Sequence, residues 1–215
     1  MASPDDLQVL ARKPVQCQNL QDDRDLGAYW EREFCKLAAK HGRSFTAHQI
    51  GRPKSAQSYF IQGGKYHHMT LPDITVWTRP GEHHEIKHKD ATAWGAYGLE
   101  RYRVDALLWF AEETGQSVYY TIHDYSLQNA PTREAQKRMP QSVPDHWLTC
   151  SIVELADSIA GIDDREGASW VDGTKRIVPI CYFNKRMFQQ VSWLWLGEPQ
   201  RDMFGTLVSV QAPPL

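Results

Sequence analysis

A strand–turn–strand pattern between residues 74 and 89 constrains the fold of this chain more than any other feature. Ile74–Arg79 is rich in β-branched residues, and Pro80-Gly81 is a strong turn signal. His84–Lys89 then has the pattern of a returning strand. The pattern therefore predicts a β-hairpin.

Two carboxylates and one ammonium group are expected to meet on this hairpin. Glu85 and Lys87 are two residues apart on one strand, so their side chains share a face, and pairing across the turn brings Asp73 close to residues 85–89. Two carboxylates so close repel each other unless a cation lies between them. Oxygen atoms of Asp73 and Glu85, with the backbone carbonyl of Ile86, suit a hard ion such as Mg²⁺.

A helix before the hairpin carries a further acidic residue on an otherwise apolar face. The spacing predicts a helix from about Leu26 to His41, with Gly42 as its stop. Positions 26, 30, 33 and 37 lie on one face, and three of them are Leu, Trp and Leu. A buried carboxylate is costly unless a lysine or a metal ion pairs with it, so Glu33 is a candidate for the same site.

The rest of the chain predicts an α/β layout. Residues 1–24 are polar and are expected to form a loosely ordered arm, and residues 25–215 a single domain. The remaining expected elements are a strand at Phe45–Ile50, a long loop or irregular hairpin at 51–68, a helix from about Tyr97 to Thr114, a strand at Ser117–His123, a polar loop at 126–146, strands at Trp147–Leu155 and Ile177–Phe183, an irregular connection at 158–176, and a strand or short helix at Phe188–Leu196. This order favours a mixed β-sheet between helices.

The motif made of Pro72-Asp73, an eleven-residue gap and Glu85-Ile86-Lys87 resembles the signature of the PD-(D/E)xK nuclease superfamily. That superfamily includes many restriction endonucleases, Holliday-junction resolvases and phage exonucleases. The segment Gly27-x5-Glu33 resembles its first core helix, which often supplies an extra acidic ligand. The resemblance covers about residues 25–123 and implies a restriction-endonuclease-like core. Residues 140–215 would extend the sheet by extra C-terminal strands.

This resemblance implies a metal-dependent deoxyribonuclease that hydrolyses DNA phosphodiester bonds, with Asp73, Glu85, Lys87 and Glu33 as its catalytic set. Asp73, Glu85 and the Ile86 carbonyl would hold Mg²⁺, for which Mn²⁺ is a substitute, and Glu33 would be a further or water-mediated ligand. The ion would polarise the scissile phosphate and lower the pKa of a bound water. Lys87 would orient that water or stabilise the developing charge. Products in the superfamily usually carry a 5′-phosphate and a 3′-hydroxyl, and many members act as homodimers.

The charge distribution supplies candidate DNA contacts. The chain has a net charge of −2, yet residues 41–103 hold nine lysines and arginines against five acids. A local positive field of this kind can gather a polyanion. Candidate phosphate contacts are Lys54, Lys65, Lys89 and Arg101, and His83 is a candidate substrate contact beside the metal. Arg101 is equally compatible with an exposed charged helix face.

Two other functions remain open at this point. One is a nuclease-derived module that binds nucleic acid, or takes part in an assembly, without cutting. The other is a Zn²⁺ or Mn²⁺ site built from the clustered histidines, namely His67, His68, His83, His84 and His88. The spacings match no zinc template, so histidines that flank turns and contact solvent or phosphate are favoured over this site.

The remaining composition indicates an intracellular globular protein. Cys35, Cys150 and Cys181 fall in apolar patterns and are expected to be buried free thiols in a reducing compartment. The eight tryptophans mostly fall in helix or strand patterns and are expected in the core. No secretory signal is visible, and the longest apolar run, Ala106–Ala111, is far too short to span a membrane. A cytoplasmic location, in a host cell or phage-associated, follows as an expectation.

Overall fold

The computed structural model describes residues 20–48, 58–62, 65–69, 71–77, 81–138, 142–171 and 174–194. The helices are α1 (Leu20–Lys40), α2 (Arg101–Thr114), α3 (Arg133–Arg138) and α4 (Ile152–Ser158). The strands are β1 (Ser44–Ala47), β2 (Ser58–Gln62), β3 (Lys65–Met69), β4 (Ile74–Trp77), β5 (Glu82–Lys89), β6 (Ala96–Glu100), β7 (Ser117–Asp124), β8 (Trp147–Ser151), β9 (Arg165–Val171), β10 (Thr174–Asn184) and β11 (Gln189–Gln190). Single 3₁₀ turns cover Tyr125–Leu127, Pro144–His146, Lys185–Met187 and Ser192–Leu194.

A mixed sheet of six strands forms the centre of the fold, in the order β1-β4-β5-β7-β8-β11. Strands β5 and β7 are parallel, and the other neighbours are antiparallel. A parallel pair needs a crossover, and α2 provides it between β5 and β7. An antiparallel sheet, β6-β10-β9, lies beside it, and β2 and β3 form a separate hairpin. The expected mixed α/β fold, with a mixed central sheet flanked by helices, is confirmed.

The predicted hairpin is the β4–β5 pair. Its register sets Ile74 opposite His84 and Val76 opposite Glu82. Strand β5 then continues past the end of β4 and pairs with β7, with Glu85 opposite Tyr120. The segment that carries Glu85 and Lys87 therefore pairs with β7 on one side and extends beyond the end of β4 on the other.

The two faces of β5 meet different parts of the protein. On one face, the ring of His84 lies against Phe34 of α1, and the ring of His88 stacks on Trp30 with centroids 4.5 Å apart. Residues of β5 at odd positions point to the other face, because side chains alternate along a strand. That second face meets α2 and β6, where the buried core includes Leu99, Leu107, Tyr120, Ile122 and Phe183.

The largest local difference from the sequence prediction is at Tyr97–Glu100, which was expected to begin a helix and instead belongs to strand β6. Tyr97 and Leu99 are buried on alternate positions, and Gly98 packs so closely under β10 that an added Cβ would lie 2.9 Å from Ile180 Cγ2. The pairing of β6 with β10 thus overrides the helical pattern, and α2 begins only at Arg101.

Other predicted boundaries also change. Helix α1 begins at Leu20, so residues 20–24 are helical rather than part of a loose arm, while residues 1–19 lie outside the described residues. The predicted strand Trp147–Leu155 ends at Ser151 and continues as α4. The segment 158–176, expected to be irregular, contains most of the β9–β10 hairpin. In the segment Phe188–Leu196, a two-residue strand precedes a 3₁₀ turn.

The expectation for three cysteines is confirmed, since Cys35, Cys150 and Cys181 are buried free thiols. In the part of the chain that the structure describes, no helix is both long enough and apolar enough to cross a membrane. The expectation for the tryptophans holds for Trp30, Trp147 and Trp193, which are almost fully buried. It is wrong for Trp77 and Trp94, whose exposed fractions are 58% and 53%.

Candidate active site

Asp73 is fixed at the start of the hairpin by the backbone of the opposite strand. It directly precedes β4, and only 3% of it is exposed. Its Oδ2 accepts a hydrogen bond of 2.8 Å from the amide of Ile86. This bond ties the carboxylate to the part of β5 between Glu85 and Lys87. The hydrogen bond from the Ile86 amide to the Asp73 carboxylate therefore explains why Asp73 lies close to Glu85 and Lys87.

The ammonium of Lys87 lies among three oxygen atoms. Its Nζ donates to Oε1 of Glu85 and, at 3.1 Å, to the carbonyl of Ile86, and it lies 3.8 Å from Oδ2 of Asp73. Glu85 is fully buried, whereas the Lys87 side chain is 24% exposed. The structure thus brings together the carboxylates of Asp73 and Glu85, the Ile86 carbonyl and the Lys87 ammonium around one positive charge.

Arg103, near the start of α2, is a second cation on the same carboxylate. Its Nη1 donates to Glu85 Oε1 at 2.5 Å, and its Nε lies 3.4 Å from Oε2 of Glu100. Glu100 also accepts a hydrogen bond from the hydroxyl of Ser169 in β9. Asp73, Glu85 and Glu100 therefore face Lys87, Lys89 and Arg103 at the junction of the two sheets. We call these six residues the charged cluster.

The pKa directions within the charged cluster follow from burial and mutual attraction. Burial lowers the pKa of Lys87, but the charges of Glu85 and Asp73 outweigh it, so the net pKa is raised and the ammonium stays protonated. Burial raises the pKa of Glu100, yet Arg103, Ser169 and nearby lysines bring it to about 2. Lys89 is the exception, because burial, only partly offset by Glu100, lowers its pKa to about 8.

The oxygen atoms around Lys87 are of the kind that a hard divalent cation accepts. Two carboxylates and a backbone carbonyl already surround one positive charge, and these are donors that Mg²⁺ accepts. Among the described residues, no group of three or more histidine, cysteine, aspartate or glutamate side chains is arranged to hold a metal ion. The donor set is thus two side chains and a main-chain oxygen, and water would have to complete the octahedron that Mg²⁺ prefers.

Glu33 is carried by α1 and pairs with a lysine of the same helix. Its carboxylate forms an ion pair of 2.5 Å with Lys36, one turn along α1. Helix α1 packs on the face of the sheet that carries His84 and His88, opposite the face of Glu85 and Lys87. The sequence predicted that Glu33 pairs with either a lysine or a metal ion, and the structure shows the lysine pair. Its role as a metal ligand stays a prediction.

The predicted DNA contacts have different surroundings. Arg101 forms a two-pronged ion pair with Asp164, at 2.8 and 2.5 Å, so its guanidinium is already engaged. His83 is buried, and its two ring nitrogens bond to Thr75 and Gln116, which leaves neither nitrogen for a phosphate. Lys89 donates to the carbonyl of Gly98. Lys65 begins β3, and Lys54 lies outside the described residues.

The histidine cluster does not assemble into one site within the described residues. His83 contacts Phe110 of α2, whereas His84 and His88 contact α1, so they lie on opposite faces of the sheet. His67 and His68 belong to β3, whose side chains are not described. Burial lowers the pKa of His84 and, to about 3, that of His88, so these imidazoles are neutral packing groups of the core.

Sequence reasoning missed Arg103 and Glu100 as members of the charged cluster, and Ser169 as the hydrogen-bond partner of Glu100. Glu100 and Arg103 are three residues apart, a spacing typical of ion pairs on one helix face. That spacing was present in the sequence. Because the predicted helix began at Tyr97, both residues fell within that helix and were not assigned to the site as a pair. Ser169 lies in a segment expected to be irregular, and only the pairing of β9 with β10 places it near Glu100.

The fold and the charged cluster define a mixed α/β protein with a buried acid–base group on the central hairpin of its sheet. No protein-family model and no curated protein matches this chain. Among solved structures, it is similar to Hjc, a Holliday junction resolvase from the archaeal hyperthermophile Archaeoglobus fulgidus. That match has 12% sequence identity and a TM-score of 0.42, and it covers 77% of this chain and 92% of the other. The chemistry of the charged cluster, rather than this distant likeness, carries the functional proposal.

Proposed function

We propose that this protein is a metal-dependent nuclease that hydrolyses phosphodiester bonds in DNA. The observation that supports the proposal is the Lys87 ammonium, which lies among oxygen atoms of Asp73, Glu85 and Ile86. Burying two carboxylates costs several kcal/mol per ion unless the charges are compensated, so a fold without use for them would gain by losing them. A metal-dependent nuclease needs an arrangement of this kind, because it must hold both a cation and a phosphate.

The charge balance of the cluster explains why a metal cation would have to bind before DNA can bind there. Three carboxylates face three cationic side chains, so the cluster is close to neutral by itself. A divalent cation at Asp73, Glu85 and the Ile86 carbonyl would give it a net positive charge and thereby favour a phosphodiester. When bound, that ion would polarise the scissile phosphate and lower the pKa of a coordinated water.

The side chains of the protein would do the rest of the chemistry. The ammonium of Lys87, on a flexible stem that is 24% exposed, would orient the attacking water or stabilise the charge that develops on the phosphate oxygens. Arg103 would hold the Glu85 carboxylate in one orientation, because it bonds Glu85 and Glu100 together. Asp73 is held by the Ile86 amide in the same manner. Expected products carry a 5′-phosphate and a 3′-hydroxyl.

The proposal is tested by incubating the protein with plasmid, linear duplex, single strands and a four-way junction, each with Mg²⁺, Mn²⁺ or EDTA. Cleavage is expected with either metal and not with EDTA. Asp73→Asn and Lys87→Met should reduce the rate by at least about 100-fold, since each removes a group that acts in the transition state. Two exposed residues provide matched controls, Glu113→Gln and Lys40→Met, and both should cleave at the wild-type rate.

A different outcome supports a second function. Arg103 and Lys87 neutralise the carboxylates without any added ion, as a cluster retained only for structure would also require. Binding to DNA under all metal conditions with no cleavage of any substrate would therefore reject the nuclease. It would favour a nuclease-derived module that binds nucleic acid without cutting it.

A further inference from the structure

An exposed tryptophan beside the charged cluster is held in a fixed position. Trp94 lies in the tight turn between β5 and β6, which is closed by a 2.9 Å hydrogen bond from the Gly95 amide to the Thr92 carbonyl. More than half of this large side chain, 53%, is open to solvent. Gly95 adopts a φ of +75°, a left-handed conformation that glycine takes without strain. The turn therefore presents the indole to solvent on a defined backbone.

Two neighbours hold the indole ring. The guanidinium carbon of Arg165 lies over it, 4.6 Å from the ring centroid, and the ring of Tyr182 is tilted against it at 4.9 Å. Arg165 is itself exposed. We call these three residues the Trp94 platform. A flat aromatic surface with an adjacent guanidinium is the combination that stacks an unpaired base and contacts its phosphate.

The Trp94 platform lies on the same side of the small sheet as Glu100 of the charged cluster. Tyr182 pairs with Gly98, and Ile180 pairs with both Glu100 and Arg165, so all of these positions share one face. Gly98 and Glu100 are two residues apart, which is about 7 Å along a strand. Lys89 of the charged cluster donates to the carbonyl of Gly98. A strand of nucleic acid crossing the charged cluster would thus reach the Trp94 platform within one or two nucleotides.

We propose that the Trp94 platform binds an unpaired nucleobase of a DNA strand whose backbone passes over the charged cluster. This inference rests on the proposed function, because it takes DNA as the ligand of the neighbouring site. The occupant is a single-stranded or locally unpaired segment, since the face of a paired base is not accessible for stacking on a side chain. The guanidinium of Arg165 contacts the phosphate of the same nucleotide.

The test measures DNA binding in EDTA, where cleavage does not interfere. Fluorescence anisotropy compares a single-stranded oligonucleotide with a fully paired duplex of the same length. Trp94→Ala is expected to weaken single-strand binding by about 5- to 150-fold, the range for loss of one stacked base. Trp94→Phe should retain most of the affinity, and duplex binding should change less than twofold. Trp77→Ala removes an equally exposed tryptophan from β4 and should have no effect.

A second readout locates the contact directly. An oligonucleotide that contains 5-iodouracil is irradiated on the wild-type protein, and the crosslinked peptide is expected to contain Trp94. The inference is overturned if wild-type protein binds no single strand, if Trp94→Ala binds it normally, or if the variant loses duplex and single-strand binding equally. It is also overturned if Trp94→Ala changes only self-association in sedimentation. A failure of the nuclease proposal appears separately, as Trp94-dependent binding without metal-dependent cleavage.

Discussion

At the scale of single residues, Arg103 is one of the cations that compensate the buried carboxylate of Glu85. Glu85 is fully buried and carries two cationic partners, of which Arg103 lies 2.5 Å from its carboxylate. Burial lowers the pKa of Arg103, but Glu85 and Glu100 raise it well above its ordinary value. An uncompensated buried charge costs more than the pair itself contributes.

The first prediction compares two arginines of α2 that are two residues apart. Arg103→Met is expected to lower the free energy of unfolding by about 3–5 kcal/mol, because it removes one of the cations that pair with the buried Glu85. Arg101→Met should cost about 1 kcal/mol or less, since its ion pair with Asp164 is partly exposed. Urea unfolding at neutral pH measures both values. Equal costs for the two variants would contradict the assignment of Arg103.

The sequence predicts part of this cluster because that part is local. Asp73, Glu85 and Lys87 belong to one hairpin, so strand alternation and the turn are enough to bring them together. Arg103 and Glu100 join them only through the placement of β6 and α2 against the sheet, which no periodicity encodes. For Glu33, the predicted position on an apolar helix face was right. That position gave no information about which side of the sheet the helix covers.

At the scale of elements, short-range signals predicted strands well where the partner is adjacent in sequence. The β4–β5 pair required only a turn and two strand patterns. The strand β6 was mistaken for a helix because its partner, β10, lies about 80 residues away in the chain, and tertiary pairing overrides local propensity. Gly98 and Gly167 pack closely against Ile180 of β10, and substitution of a glycine at such a contact tests the pairing.

The second prediction compares two glycines with opposite surroundings. Gly27 lies inside α1 with no atom within 4 Å of an added Cβ, so Gly27→Ala should raise the free energy of unfolding by about 0.5–1 kcal/mol. In contrast, an added Cβ at Gly167 of β9 would lie 2.6 Å from Cγ1 of Ile180. Gly167→Ala should therefore cost about 1–3 kcal/mol, as overpacked cores do. Thermal or urea unfolding measures both changes.

A double variant separates overpacking from other causes in β9. Ile180→Ala removes the atom that the new methyl group would strike, so Gly167→Ala should cost less in that background than in the wild type. The expected coupling free energy is about 1 kcal/mol or more in the favourable direction. Additive costs would show that the close approach of β9 and β10 does not limit substitution at Gly167.

At the scale of the whole molecule, one core joins the two sheets. Cys150 of β8 belongs to the main sheet and Cys181 of β10 to the small one, yet both lie in the core beneath α2. The order of predicted elements was enough to expect a mixed sheet between helices. It was not enough to expect that strands after α2 would form a second sheet, because that depends on which edge each strand pairs with.

The third prediction uses these two thiols to report on that shared core. Burial raises the pKa of Cys150 and of Cys181 to about 12, against about 8.5 for an unfolded thiol. A group whose pKa is raised on folding contributes stability that is complete below its unfolded pKa and declines as pH rises toward the folded pKa. Each thiol should therefore reduce the free energy of unfolding by about 1.4 kcal/mol per pH unit above pH 8.5. Lys89, with a lowered pKa of about 8, acts in the opposite direction over pH 8–10, but one ammonium does not offset two thiols.

The measurement is a series of urea unfolding curves between pH 7 and pH 10 in the presence of a reducing agent. Wild-type stability is expected to decline above pH 8.5. The slope for the variant with both Cys150→Ala and Cys181→Ala should be more positive than the wild-type slope by about 2.7 kcal/mol per pH unit, the equivalent of two protons. The difference between the two proteins should be constant below pH 8, because both thiols are protonated there whether the chain is folded or not. Curves that stay parallel up to pH 10 would mean that water reaches these thiols, and hence that the core between the sheets is not closed as the structure has it.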